Sequence, residues 1–251
     1  MGYKGLDEKI IVVTGAAQGI GAAYVRRLVE EGATVIAADL NFEGVQRLAE
    51  EQGEKVVPYQ LDVASLESAR GLATFLAERF GRVDGLINNA AIFSTIRMAP
   101  FWEITEREWD LLSNVNIKGV WVVASALVEL LKVSTGGSIV NIGSDSVVLG
   151  RSNYLHYVAS KGAVTGMTYS MSKELGGFGI RVNTLSPGPV YTEIARDTVT
   201  EEQTRAMLAA QAIHRKAAPE DMTSVAAFLL SDDSGYVTGQ TISVNGGLWH
   251  R

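Results

Sequence analysis

Seven short runs rich in Ile, Val and Ala punctuate the chain at 9–13, 33–38, 55–60, 83–89, 137–142, 180–186 and 240–245. Strands buried on both faces read as near-continuous apolar runs, whereas half-exposed strands alternate, so these runs predict interior strands of a parallel sheet. Stretches of helical periodicity lie between them. In the first, Ile20, Tyr24 and Leu28 recur at fourfold spacing with Val25 and Val29 beside them, the stripe that a helix lays against a sheet. Two longer helical stretches are predicted at about 104–133 and 152–177. Strands alternating with helices predict an α/β fold, a doubly wound sheet of about seven parallel strands flanked by helices. No Pro-rich or Gly/Ser-rich tract, repeat or low-complexity segment divides the chain, so 1–251 reads as a single domain.

Composition narrows the chemistry. Hydrophobic residues make up 47% of the 251, enough for a sizeable core. The formal charge of −6, with no run of Lys or Arg, argues against a nucleic-acid partner. Without cysteine there is no disulfide, thiolate nucleophile or Cys-ligated metal, and His156, His214 and His250 are too scattered to suggest a metal site. No apolar stretch is read as reaching the roughly 20 residues that span a bilayer. The N-terminus MGYKGLDEK lacks a signal core, and Leu6 stands where a myristoylation motif needs Ser or Thr. A soluble, cytoplasmic protein with no membrane partner is expected, its chemistry drawn from oxygen, nitrogen and a cofactor.

The first run leads into TGAAQGIG, Thr14 to Gly21. Its spacing, G-x-x-x-G-x-G at Gly15, Gly19 and Gly21, differs from the common G-x-G-x-x-G. Glycines there let backbone amides approach a pyrophosphate at the positive end of a helix; a phosphate-free tight turn is the plain alternative. Asp39 closes the second strand about twenty residues later, where a carboxylate accepts both ribose hydroxyls and repels a 2′-phosphate. Neither Gln18 nor Leu40 nor Asn41 supplies a cation, so NAD is favoured over NADP. The competing reading is that Asp39 caps the next helix. Tyr157 and Lys161 stand four apart in YVASK, with Ser144 thirteen residues upstream. On a helix that spacing shares one face, so the ammonium favours the ionised phenol, whose reference pKa is about 10. The phenol could then move protons near neutral pH. A Tyr-x-x-x-Lys pair is common by chance; together with the glycine turn and Asp39 it points to a nicotinamide-dependent oxidoreductase.

Further motifs extend the pattern: Asp62-Val63 after the third strand, NNAA at Asn88 to Ala91, Asn116 in NVNIKG, Ser144 in NIGSDS, and SPGPVYT from Ser186 to Thr192. On these residues the chain resembles a classical short-chain dehydrogenase/reductase from the first strand to the C-terminus. The resemblance implies a Rossmann-like fold with Tyr157 as general acid/base and Lys161 on the nicotinamide ribose. It gives Ser144 the substrate oxygen and Asn116 a water of the proton relay. It implies cofactor contacts from Gly15, Gln18, Gly19, Ile20 and Gly21, from Asp39 and Leu40, and from Asp62 and Val63 at the adenine. Asn89 and Ala90 would flank the adenosine, with Pro187 and Gly188 at the cofactor and Val190 and Thr192 at the carboxamide. A homotetramer is implied as well. Two positions depart from the family pattern: Ala91 replaces a glycine, and Asp145 follows the serine where a small neutral residue is usual. Asp145 is read as a solvated loop carboxylate in preference to a contact for a polar substrate. His156, about 100° round the helix from Tyr157, is read as structural or interfacial.

Substrate choice falls to Phe93–Arg97, Val147–Tyr154 and a lid near 190–213, chiefly Tyr191–Ile213. Phe93, Ile96, Val147, Leu149, Tyr154, Met207 and Leu208 suggest a hydrophobic or aromatic secondary alcohol or ketone, though packing within the lid accounts for them nearly as well. Arg97 and Arg151 could instead meet an anion, against a default of solvated surface cations. The ending VTGQTISVNGGLWHR is similar to that of NAD-dependent members acting on secondary or pyridoxal-type alcohols, where the tail lies at a subunit contact. The expected activity is NAD-dependent interconversion of a secondary alcohol and a ketone. A 3-oxoacyl thioester reductase is the alternative, which Asp39 disfavours because biosynthetic reduction commonly draws on NADPH. A catalytically silent dinucleotide sensor is the alternative of another class, and the intact Asn116, Ser144, Tyr157 and Lys161 set speaks against it.

Overall fold

The computed structural model describes residues 2–194 and 200–250. All seven predicted strands form: β1 (Ile10–Thr14), β2 (Thr34–Asp39), β3 (Val56–Gln60), β4 (Gly85–Asn88), β5 (Ser138–Ile142), β6 (Arg181–Pro187) and β7 (Thr241–Val244). They make one wholly parallel sheet in the order β3-β2-β1-β4-β5-β6-β7. The α-helices among the described residues are α1 (Gly19–Glu30), α2 (Phe42–Gln52), α3 (Leu66–Arg79), α4 (Glu106–Ser113), α5 (Gly119–Val133), α6 (Ser146–Leu149), α7 (Leu155–Leu175), α8 (Glu201–Ala210) and α9 (Glu220–Leu230).

Each strand's continuous apolar run is explained by two cores. In β1, Ile11 and Val13 enter a cluster with residues of α1, α2 and α9, while Ile10 and Val12 enter the opposite cluster with residues of α3 and α5. Successive side chains point to opposite faces, so a strand covered on both sides must be apolar throughout. Strand order reverses between β1 and β4, which opens a crevice at their carboxyl ends.

The two long helical stretches are shorter than predicted, for local reasons. The first starts at Glu106 because Thr105 and Glu108 form a capping box. The second starts at Leu155 because Asn153, at φ 64, adopts the left-handed conformation and breaks any earlier turn. Between α4 and α5 lies a single π-helical segment, Asn114–Lys118, so that Glu106–Val133 is one continuous helix. That helix corrects the expectation that no segment has spanning length. By length and composition it is apolar enough to cross a membrane, with mean hydropathy 1.5 over 18 residues. In the fold its Val122, Val123, Leu127 and Leu131 are buried core residues.

Candidate active site

The glycine turn is built by close backbone approach. Gly15 has φ +66, and a Cβ there would lie 2.7 Å from Ala90 Cα; a Cβ on Gly21 would collide with the Gly15 carbonyl oxygen. Asn89 braces this contact: its Nδ2 donates to the carbonyls of Thr14 and Gly15, each at 3.0 Å. Thr14 Oγ1 in turn accepts from the Asn89 and Ala90 amides at 3.0 and 3.1 Å. Asp39 accepts from the Ala17 amide at 3.0 Å and the Asn41 amide at 2.9 Å. The cap of α2 is Asn41, whose side chain accepts from the Gly44 amide, so Asp39 is not that cap. Two donors leave further acceptor capacity on the Asp39 carboxylate.

The Gly19 amide, in the first turn of α1, donates to Glu193 Oε1 at 2.7 Å. A carboxylate there does what a phosphate oxygen would do at the positive end of a helix, so the turn fits a dinucleotide. Glu193 was not singled out in the sequence, where nothing marks one acidic residue of a lid as a partner for a turn 174 residues away. Glu193→Gln should tighten NADH binding about fivefold, because a neutral acceptor competes with the pyrophosphate about 1 kcal/mol less well than a charged one. Fluorescence titration reads this, and unchanged affinity would show that the carboxylate does not compete.

At the other end of the crevice Ser144 follows β5, and Tyr157 and Lys161 share one face of α7. Ser144 Oγ accepts from the Ser146 amide at 3.2 Å. Lys161 is 4% exposed, donates from Nζ to the Ile142 carbonyl at 2.8 Å and lies 5.9 Å from the centre of the Tyr157 ring. Burial pushes its ammonium down from 10.5 to about 8. Tyr157 packs against Phe93, with ring centres 4.8 Å apart.

Asn116 lies in the π segment, 1% exposed, behind the cleft wall and not in it. Its Oδ1 accepts from the Ile92 amide at 2.8 Å, and its Nδ2 donates to the Ile92 carbonyl at 3.1 Å and to Ser160 Oγ at 3.3 Å. π-bulges recur at functional sites because they re-aim a stretch of helix; here the bulge joins the chain after β4 to α7.

Asp145 corrects the sequence reading. It is 1% exposed, and its carboxylate accepts four hydrogen bonds from the ends of β6 and β7 and from the C-terminal tail. The turn after β5 folds inward onto those strand ends, which takes the side chain out of solvent. His156 is buried outside the cleft lining.

Every residue of the predicted cofactor set lines one cleft of about 1600 Å³, together with Ser144, Tyr157 and Lys161. Ala91 is exposed on its wall, so the extra methyl faces open space. Of the apolar substrate candidates, Phe93, Leu149, Tyr154 and Met207 line the cleft, whereas Ile96, Val147 and Leu208 do not. Arg97 is held by Glu108 at 3.0 Å and Glu103 at 3.7 Å, away from the cleft. Arg151 lines it, 4.3 Å from the centre of the Tyr154 ring. In the segment expected to form a lid, Val190 bridges to Ala217 and Glu201–Ala210 forms α8; 195–199 of it, and Arg251, lie outside the described residues.

Residues 15–249 match the model of a family described as enoyl-(acyl carrier protein) reductase. The chain is 38% identical over 246 residues to the 3-oxoacyl-[acyl-carrier-protein] reductase FabG of Thermotoga maritima, covering 97% of this chain and 98% of that protein. A Brucella melitensis structure titled a short-chain dehydrogenase/reductase, glucose/ribitol dehydrogenase, superposes over 100% of both chains with TM-score 0.90 and 31% identity. A 3-ketoacyl-(acyl-carrier-protein) reductase of the same organism, complexed with NADH, superposes over 97% of this chain and 99% of its own, with TM-score 0.89 and 28% identity. With the parallel sheet, the glycine turn and the Ser144, Tyr157 and Lys161 cluster, these matches establish that the chain belongs to the classical short-chain dehydrogenase/reductase family of oxidoreductases.

Proposed function

We propose that this protein is an NAD-dependent oxidoreductase that interconverts a secondary alcohol and a ketone, acting in the cytoplasm as a homotetramer. One observation carries the reading: a single cleft holds a ribose-competent carboxylate, Asp39, at one end and Ser144, Tyr157 and Lys161 at the other. A nicotinamide dinucleotide supplies or accepts the hydride. Ser144 holds the substrate oxygen by its hydroxyl, and Tyr157 gives that oxygen a proton on reduction or takes one on oxidation. Lys161, charged below about pH 8, favours the tyrosinate by its proximity and offers its remaining N–H groups to the nicotinamide ribose. Asn116 holds the Ile92 segment against α7, where it would support a relay water. Phe93, Leu149, Tyr154 and Met207 favour an apolar or aromatic substituent on the substrate. Exposed Trp109, Trp121 and Tyr169 on α4, α5 and α7 offer apolar surface for subunit pairing.

Asp39 supports NAD. Asp39→Ala should narrow the preference for NAD over NADP, expressed as the ratio of kcat/KM values, by about tenfold or more, because the ribose hydroxyls lose an acceptor and a 2′-phosphate loses a repelling charge. An unchanged ratio would leave Asp39 as a brace for the glycine turn alone. The second reading, a 3-oxoacyl thioester reductase, gains support from the 38% identity to the Thermotoga reductase, and a relative complexed with NADH weakens the objection from Asp39. Comparing kcat/KM for acetoacetyl-CoA with that for aryl and alkyl methyl ketones decides between them. Higher values for the simple ketones uphold the first reading, and a thioester preference of about a hundredfold would replace it with the second.

A further inference from the structure

Asp145 is one peptide bond from Ser144, and its carboxylate is buried, with no cation on it among the described residues. Oδ1 accepts from Ser186 Oγ at 2.7 Å and Ser243 Oγ at 3.0 Å. Oδ2 accepts from Asn245 Nδ2 and from the Trp249 indole Nε1, each at 2.8 Å. The Asn245 amide also donates to the Trp249 carbonyl at 3.3 Å, which closes the tail onto the same carboxylate. The backbone repeats the connection, since the Asp145 amide donates to the Pro187 carbonyl at 3.0 Å. A buried carboxylate is costly unless its acceptor sites are filled, and here four neutral donors from three parts of the chain fill them.

What the four donors hold together is the far end of the cleft from Asp39. Ser144 and Pro187–Gly188 both line it, and in a doubly wound sheet the half beyond the switch point receives the second mononucleotide, here the nicotinamide side. Trp249 is the last of the four donors along the chain. We propose that Asp145 is a positioning residue that fixes Ser144 and the Pro187–Gly188 segment relative to each other, and that the Trp249 indole N–H is the outer tether of that arrangement. The C-terminal tail is thereby part of the nicotinamide end of the site. This inference rests on the dinucleotide reading given above.

The test compares NADH with ADP-ribose, which shares the adenosine and pyrophosphate and lacks the nicotinamide. Isothermal titration of the full chain should show Trp249→Phe weakening NADH about five- to tenfold while ADP-ribose stays within about twofold, because one well-made hydrogen bond to a carboxylate contributes about that factor. Asp145→Asn should show the same asymmetry more strongly, and the double variant should be no worse than Asp145→Asn alone, as expected for groups acting as one unit. If Asp145→Asn does not fold, Trp249→Phe, which keeps the aromatic bulk, still decides. Ser138→Ala is the control: it removes a buried bond to the Leu229 carbonyl at the opposite end of β5, and should lower Tm with both affinities unchanged. Equal weakening of both ligands, or unchanged NADH affinity in Trp249→Phe, would overturn the positioning role while leaving the dinucleotide reading intact. Wild-type protein that binds neither NADH nor NADPH would overturn both. Should NADPH bind more tightly, 2′-phospho-ADP-ribose becomes its matching probe.

Discussion

Tyr157→Phe should lower kcat about a thousandfold while NADH affinity stays within about twofold, since a positioned general acid or base contributes on the order of 10²–10⁴ in rate. The variant removes one hydroxyl and keeps the ring against Phe93 at 4.8 Å and Tyr154 at 6.4 Å, so Tm should move by no more than a few degrees. Single-turnover kinetics with preformed binary complex separates chemistry from binding. Retention of most of the wild-type rate would mean that another group moves the proton.

Lys161→Met should abolish measurable turnover and at the same time raise stability near neutral pH. The buried ammonium titrates at about 8 in place of 10.5, so at pH 7 the fold holds a charge it would sooner release. A depressed lysine pKa destabilises the folded state at pH values below about 8, and the penalty fades as pH rises from about 8 to 10.5, where the unfolded chain keeps the proton that the folded chain has lost. The shift corresponds to about 3 kcal/mol, reduced by about 1–2 kcal/mol when methionine leaves the Ile142 carbonyl without its donor. The net gain of about 1–2 kcal/mol at pH 7 should raise Tm by a few degrees. The difference between variant and wild type should shrink, and then reverse, as pH approaches 10.5. A variant less stable than wild type at pH 7 would show that burial of Lys161 is repaid within the fold.

The seven strands were legible because a sheet covered on both faces forces apolar runs such as Ile10 to Val13. Gly15, Gly21, Asp39, Tyr157 and Lys161 were legible because each answers a local requirement, a close backbone approach, a place at a strand end or a helical spacing, which sequence distance alone expresses. Asp145 and Glu193 were not. The partners of Asp145 come from residues 186, 243, 245 and 249, and the partner of Glu193 from residue 19, so their meaning arises only when distant strand ends meet. A carboxylate in a loop looks solvated until four donors are seen to converge on it. The helix from Glu106 to Val133 was legible as a helix, but its spanning length in apolar residues was not, because its polar first turns interrupt the run and its apolar side is consumed by the core.

The most direct test of the central claim is steady-state absorbance at the NADH band, with NAD and NADP offered separately to wild-type protein over aliphatic, aromatic and hydroxyacyl secondary alcohols and their ketones. Asp39, Ser144, Tyr157 and Lys161 in one cleft predict turnover with NAD, faster than with NADP, on at least one apolar secondary alcohol or its ketone. NADH that binds tightly but turns over with no member of the panel would contradict the account and favour a dinucleotide-binding protein without catalysis.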